Sequence, residues 1–205
     1  MHGRFISFEG IDGAGKSTQA RRLAEALEQA GQDVVLTREP GGSPGAEAIR
    51  RLLVEGDIDR WSPEAEILLF TAARRDHLER TIEPALARGA TVITDRFADS
   101  TRIYQGVVRA ELRESVDALH QRMIGIDPDL TLILDVEPKH ALDRGLARGV
   151  EEDRFETMGL AFQQRLRAGF RALAAEAPAR CRLIPADGSA DEVAGRVTAA
   201  VEAFG

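Results

Sequence analysis

The 205-residue chain has one cysteine, one tryptophan, one tyrosine and, against many arginines, only two lysines, Lys16 and Lys139. A lone Cys181 cannot close an internal disulfide, which fits a reducing compartment, and within "RCRLIPADG" it reads as a small buried strand residue. No apolar run approaches a membrane span, and no basic-then-apolar signal segment opens the sequence, so a cytoplasmic location is expected. The net charge of −7 excludes a molecule that captures nucleic acid by its overall charge. Also missing is an Asn-Lys-x-Asp segment of the kind that reads guanine in GTPase switches, since Lys139 is followed by His140.

The scarcity of lysine makes Lys16 informative. A chain that uses arginine almost everywhere keeps a thin, flexible ammonium here, where a planar guanidinium is too broad to thread a backbone cradle. The cradle is "EGIDGAGKST". Gly10-x-x-x-x-Gly15-Lys16-Ser17 is a Walker A pattern, and it follows an expected strand and opens an expected helix, the context it requires. Its glycines turn backbone N–H groups of Gly10, Ile11, Asp12, Gly13, Ala14, Gly15 and Thr18 toward phosphate, and the helix N-terminus favours negative charge. Lys16 reaches the terminal phosphates and Ser17 offers its hydroxyl to Mg²⁺.

Apolar runs alternate with helical patterns along the whole sequence. "RFISFEG", "DVVLTREP", "ATVITDR", "DLTLILDV" and the weaker "RCRLIPADG" read as strands. "STQARRLAEALEQAG", ending at Gly31, "AEAIRRLLVEG", a long helix opening at Ser62-Pro63 and running toward Gly89, and "ADEVAGRVTAAVEAFG" read as helices. The pattern predicts an α/β P-loop NTPase fold with a five-stranded parallel sheet flanked by helices. The length fits one domain, residues 1–205. The arginine-rich stretch with glycines at 145 and 149 reads as a lid over about residues 141–156.

Two aspartates end apolar strands, where open α/β sheets bind ligands. Asp135 reads as the cap of the helix after it. Asp95, followed by Arg96, reads as the metal or phosphate residue, because a guanidinium can fork onto phosphate. Phe70 and Arg74 fall four residues apart on one helix face, a ring and a fork suited to stacking on a nucleobase and reading its edge.

With "TREPGGSPG", "FTAARRDH", "DRFADSTRIYQG", "PDLTLILDV" and "DRFE" in this order, the chain resembles the bacterial type of the thymidylate kinase family over nearly its whole length. The resemblance implies transfer of the ATP γ-phosphate to dTMP with Mg²⁺ present. It implies that Phe70 stacks on thymine, that Arg74 bonds its edge, and that Ser100 and Gln105 line the base site. Tyr104 would lie near the sugar, and Arg38 and Arg96 would hold the acceptor phosphate, with Glu39 in support. Asp12 would pair with Arg96 on the acceptor side. Because the phosphate loop carries no arginine, the resemblance assigns the catalytic cation to the lid, to Arg154, with Arg144 and Arg148 on ATP. Leu146 departs from arginine-richer relatives, which leaves the assignment among these three open. Adenine would rest near Pro185 to Ser189, and a homodimer is implied. The alternatives are a kinase for another nucleotide, such as dUMP, and an NTPase switch.

Overall fold

The computed structural model describes residues 3–56, 60–106, 110–148 and 159–204, with the side chains of 110 and 144–148 left out of the description. Five strands form one parallel sheet: β1 (Phe5–Glu9), β2 (Val34–Arg38), β3 (Thr91–Asp95), β4 (Leu130–Asp135) and β5 (Cys181–Pro185), in the order β2-β3-β1-β4-β5. The helices are α1 (Lys16–Gln29), α2 (Pro44–Val54), α3 (Pro63–His77), α4 (Glu83–Ala87), α5 (Ala98–Tyr104), α6 (Arg113–Met123), α7 (Pro138–Arg148), α8 (Leu160–Glu176) and α9 (Ala190–Phe204).

Strand periodicity divides the core between the two sheet faces. From β1, Ile6 and Phe8 pack in one cluster with Leu23 of α1, Phe170 of α8 and Val197 of α9. Phe5 points the other way and packs with Leu78, Ile82 and Phe97. β3 repeats this division, with Ile93 on the first face and Val92 on the second. Because side chains alternate along a strand, the near-continuous apolar runs of β1, β3 and β4 require helices on both faces.

Ser62 caps α3 by accepting from the Ala65 N–H at 3.2 Å, and Pro63 occupies the first turn, where its missing N–H costs nothing. The single long helix expected from Ser62 toward Gly89 is instead three pieces. α3 passes through a π-helical turn, Leu78–Ile82, into α4. Pro84 lies just beyond, and a proline cannot donate to the turn before it, so the wider register takes up the mismatch. Of the stretch expected as a lid, about residues 141–156, residues 141–148 fall on α7 and the part from 149 onward lies outside the described residues.

Candidate functional site

The C-terminal ends of the strands gather the chemistry. Register sets Asp95 beside Phe8 of β1 and Arg38 of β2. Between β1 and α1 the loop turns on glycines with positive φ, Gly13 at 78° and Gly15 at 93°. A Cβ on Gly13 would sit 2.2 Å from the Ala141 carbonyl oxygen, so only glycine lets the loop pack against α7. α1 has no side-chain cap, which leaves its first N–H groups for an anion.

Lys16 folds back over the loop, donating to the Ile11 carbonyl at 2.8 Å. Burial and the neighbouring Arg96 push its ammonium below the ordinary lysine value. Phosphate anions would relieve both effects. Ser17 Oγ donates to Asp95 Oδ2 at 2.5 Å, while Asp95 Oδ1 is buried without a partner. An orphaned carboxylate oxygen beside a serine hydroxyl suits a hard divalent cation such as Mg²⁺, which is content with few protein oxygens, the rest coming from phosphate and water. Among the described residues no cluster of three His, Cys, Asp or Glu side chains could hold a metal by itself.

Beside the loop lies a largely apolar cavity, open on one side, with about 500 Å³ of atom-free space, open solvent included. Glu39, Phe70, Arg74, Arg96, Ser100, Tyr104 and Gln105 all line it, which brings together the base- and phosphate-site residues expected from the sequence, apart from Arg38. Arg38 lines an adjoining groove with Ser17 and Asp95 and pairs with Glu47 at 3.1 Å. Phe70 is half-buried on the cavity wall. Pro40, Leu53, Val54, Phe97 and Thr101 complete the lining; in the sequence they carry no signal beyond apolar or small character.

Arg74 is buried and thoroughly held. Its Nε donates to Glu39 at 2.7 Å, and one Nη donates to the Phe97 carbonyl at 3.2 Å and to Thr101 Oγ1 at 3.0 Å. Its guanidinium stacks over the Phe97 ring at 5.2 Å. Gln105 leans on Glu66 at 3.5 Å.

Cavity and phosphate loop share a wall. Arg96, in the left-handed region at φ 72°, a costly conformation for arginine, donates to Asp12, to Ser100 Oγ at 2.9 Å and to Tyr104 Oη at 3.1 Å. Tyr104 Oη donates to the other Asp12 oxygen at 2.8 Å. Burial pushes the Asp12 carboxyl up, but the charges of Arg96 and Lys16 and the Tyr104 hydroxyl outweigh it and hold Asp12 below its ordinary value.

One placement departs from expectation, and one residue joins the site without one. Asp135 was expected to cap the following helix, yet its carboxylate is taken by α8, by Arg167 Nε at 2.6 Å and Arg171 at 3.1 Å. A guanidinium fork is a stronger claim on an aspartate than one backbone N–H. Glu9, which reads in the sequence only as the residue before the loop motif, accepts from the N–H groups of Phe97 and Ser100 at 2.8 and 3.2 Å and from Ser100 Oγ at 2.7 Å. It caps α5 from another strand, and no spacing rule could reveal that. Of the arginines expected in a lid, Arg144 and Arg148 lie on α7 with their side chains undescribed, and Arg154 lies outside the described residues. Cys181 is buried, its thiol pushed up to about 11 by that burial, and so is inert.

A five-stranded parallel sheet, a phosphate loop between β1 and α1, and an adjoining cavity joined to it through Arg96 define a P-loop NTPase fold equipped for a second ligand. The thymidylate kinase family profile matches residues 8–197. The chain is 68% identical over 197 residues to the thymidylate kinase of Dinoroseobacter shibae, covering 96% of this chain and 95% of that one. It is 57% identical to that of Caulobacter vibrioides, covering 96% and 94%. The crystal structure of thymidylate kinase from Ehrlichia chaffeensis matches with a TM-score of 0.79 at 35% identity, covering 98% of this chain and 99% of that one. The chain belongs to the thymidylate kinase family.

Proposed function

We propose that this chain phosphorylates dTMP to dTDP, with ATP as donor and Mg²⁺ as cofactor, as one domain acting in the cytoplasm as a homodimer. The observation that carries the reading is the shared wall: Asp12 of the phosphate loop is bonded to Arg96 and Tyr104 of the acceptor cavity. Two nucleotides bound on either side of it would meet phosphate to phosphate.

The acceptor phosphate is already ionised at neutral pH, so the chemistry calls for positioning and charge stabilisation more than for a base. Phe70 and Arg74 take the base, Ser100 and Gln105 flank it, and Tyr104 bounds the sugar side. Arg96, fixed by Asp12, meets the acceptor phosphate, with Arg38 arriving from the groove shared with Ser17 and Asp95. Lys16 exchanges the Ile11 carbonyl for donor phosphate oxygens. Ser17 and Asp95 would hold Mg²⁺, which supplies neutralisation of charge on the donor phosphates. Adenine lies near the loop from Pro185 to Ser189, and the lid arginines Arg144, Arg148 and Arg154 supply the cation that the phosphate loop lacks.

Release of ADP from ATP, measured with dTMP, dUMP, CMP, thymidine or no acceptor, tests this directly. Acceptor-dependent release with dTMP turned over fastest is the expected result. Preference for another acceptor, or release indifferent to acceptor, overturns it.

A further inference from the structure

His77 ends α3, is fully buried and lies outside the cavity lining. Its Nδ1 is 3.0 Å from Glu39 Oε1, and its Nε2 is 2.8 Å from Thr37 Oγ1. The second Glu39 oxygen accepts from Arg74 Nε at 2.7 Å. With hydrogen on Nδ1, the imidazole donates to Glu39 and accepts from the Thr37 hydroxyl, so both ring nitrogens and both Glu39 oxygens are satisfied.

The bonds converge on Glu39. Its carboxylate, which only accepts, puts the hydrogen on His77 Nδ1, the Thr37 hydroxyl then donates to Nε2 and steadies the ring, and a planar carboxylate with one oxygen fixed has no freedom left for the other. That oxygen holds Arg74 Nε, while Phe97 and Thr101 hold one Nη. The remaining Nη has no protein partner among the described residues and belongs to a residue that lines the cavity. The ring itself cannot swing away. A Cβ on Gly42 would sit 2.4 Å from both His77 Nε2 and Thr37 Oγ1, so the loop after β2 packs directly on it. Thr81 fastens that loop by donating to the Gly42 carbonyl at 2.7 Å.

We propose that His77 is a positioning residue for acceptor recognition, acting through Glu39 to aim the free nitrogen of Arg74 at the edge of the pyrimidine base. The inference rests on the dTMP-kinase reading above and adds to it the device that orients the base-reading arginine. Removing the Nδ1 donor leaves a buried Glu39 oxygen unpaired and lets the carboxylate rotate, which loosens Arg74 without touching the phosphate loop.

Two variants separate orientation from bulk. His77→Asn places an amide where Nδ1 was, whereas His77→Gln reaches only toward Thr37. His77→Gln is expected to weaken dTMP binding by calorimetry and raise the dTMP KM about tenfold, with kcat and the ATP KM within about twofold. His77→Asn should stay within about threefold of wild type in the same measurements. In an Arg74→Ala background His77→Gln should add almost nothing, because the two act on one contact. Should His77→Gln fold poorly, Thr37→Val, which removes only the hydroxyl, should shift the dTMP KM in the same direction by about threefold.

Equal loss of Tm in the Asn and Gln variants with an unchanged dTMP KM overturns the proposal, as does a His77→Gln effect that multiplies fully with Arg74→Ala. Wild-type preference for a different pyrimidine nucleotide would overturn the functional reading instead. The same cycle run on that acceptor then decides the positioning claim separately.

Discussion

Asp95 carries two unlike oxygens: one receives the Ser17 hydroxyl and the other is buried and unpaired. An unpaired buried carboxylate oxygen is costly unless a ligand completes it. Asp95→Asn keeps the shape and removes the charge. The magnesium concentration for half-maximal ADP release should rise about tenfold or more, while the Tm holds or rises. A magnesium titration of both proteins checks this, and an unchanged midpoint would remove Asp95 from the metal site. At this scale the sequence was most legible where one residue type is chemically irreplaceable: Lys16 in a backbone cradle, or the glycines whose neighbours leave no room for Cβ. It was least legible where a residue works through another. Nothing in the spacing of Glu39 and His77, or of Glu9 and Ser100, announces that they meet, because 38 and 91 residues separate them.

Among the elements, α5 draws its N-terminal capping from another part of the fold. It spans seven residues, and its N-cap, Phe97, offers no side-chain acceptor, yet it carries Ser100, Thr101 and Tyr104 into the cavity. Glu9 at the end of β1 takes over the capping. Burial, and secondarily the nearby Asp99 carboxylate, push the Glu9 carboxyl up to about 7, against the pull of Arg96. A carboxyl that holds its proton more tightly folded than unfolded adds stability below its ordinary value, and this is lost as pH rises through about 7. Glu9→Gln keeps an acceptor oxygen and abolishes the titration. Thermal melts from about pH 5 to about pH 8 should therefore show a downward component in the wild type that is absent from the variant. Parallel profiles would exclude Glu9 as its source. The strands were readable because uninterrupted apolar runs have one explanation in an α/β alternation. Helix α6 was not, because it buries little beyond Val116 and His120 and shows no broad apolar stripe. The π-helical turn was hidden because a Pro-associated register shift leaves hydrophobic periodicity nearly intact.

At the scale of the molecule, one ionic network centred on the buried Asp99 and Arg102 ties the acceptor side to the far edge of the sheet. Asp99 of α5 is almost wholly buried and accepts from Arg180, just before β5, at 2.6 and 2.9 Å, and from Arg102 at 2.7 Å. Arg102 extends the network to Asp127 at 2.8 Å and to Asp117 of α6 at 3.1 Å. Thr131 of β4 joins it through Arg180 at 3.0 Å and meets Ser7 of β1 at 2.9 Å. Burial opposes ionisation of Asp99 and Asp127, but the arginine bonds and charges, with His120 beside Asp127, prevail and hold both carboxyls below their ordinary value. Such groups stabilise the fold above the ordinary carboxylate range, and the contribution is lost as pH falls through their depressed values. Because breaking a buried pair strands the remaining charge, Arg180→Met should lower the Tm at neutral pH by roughly 5–10 °C. Asp99 sits next to Ser100, so the same variant should also raise the dTMP KM, although Arg180 lines no part of the cavity. In an Asp99→Asn background the arginine has lost its anion, and Arg180→Met should cost much less than in the wild type. Melting curves of the four proteins decide the matter: equal losses in both backgrounds would mean that Arg180 stabilises β5 locally and that the network does not act as a unit.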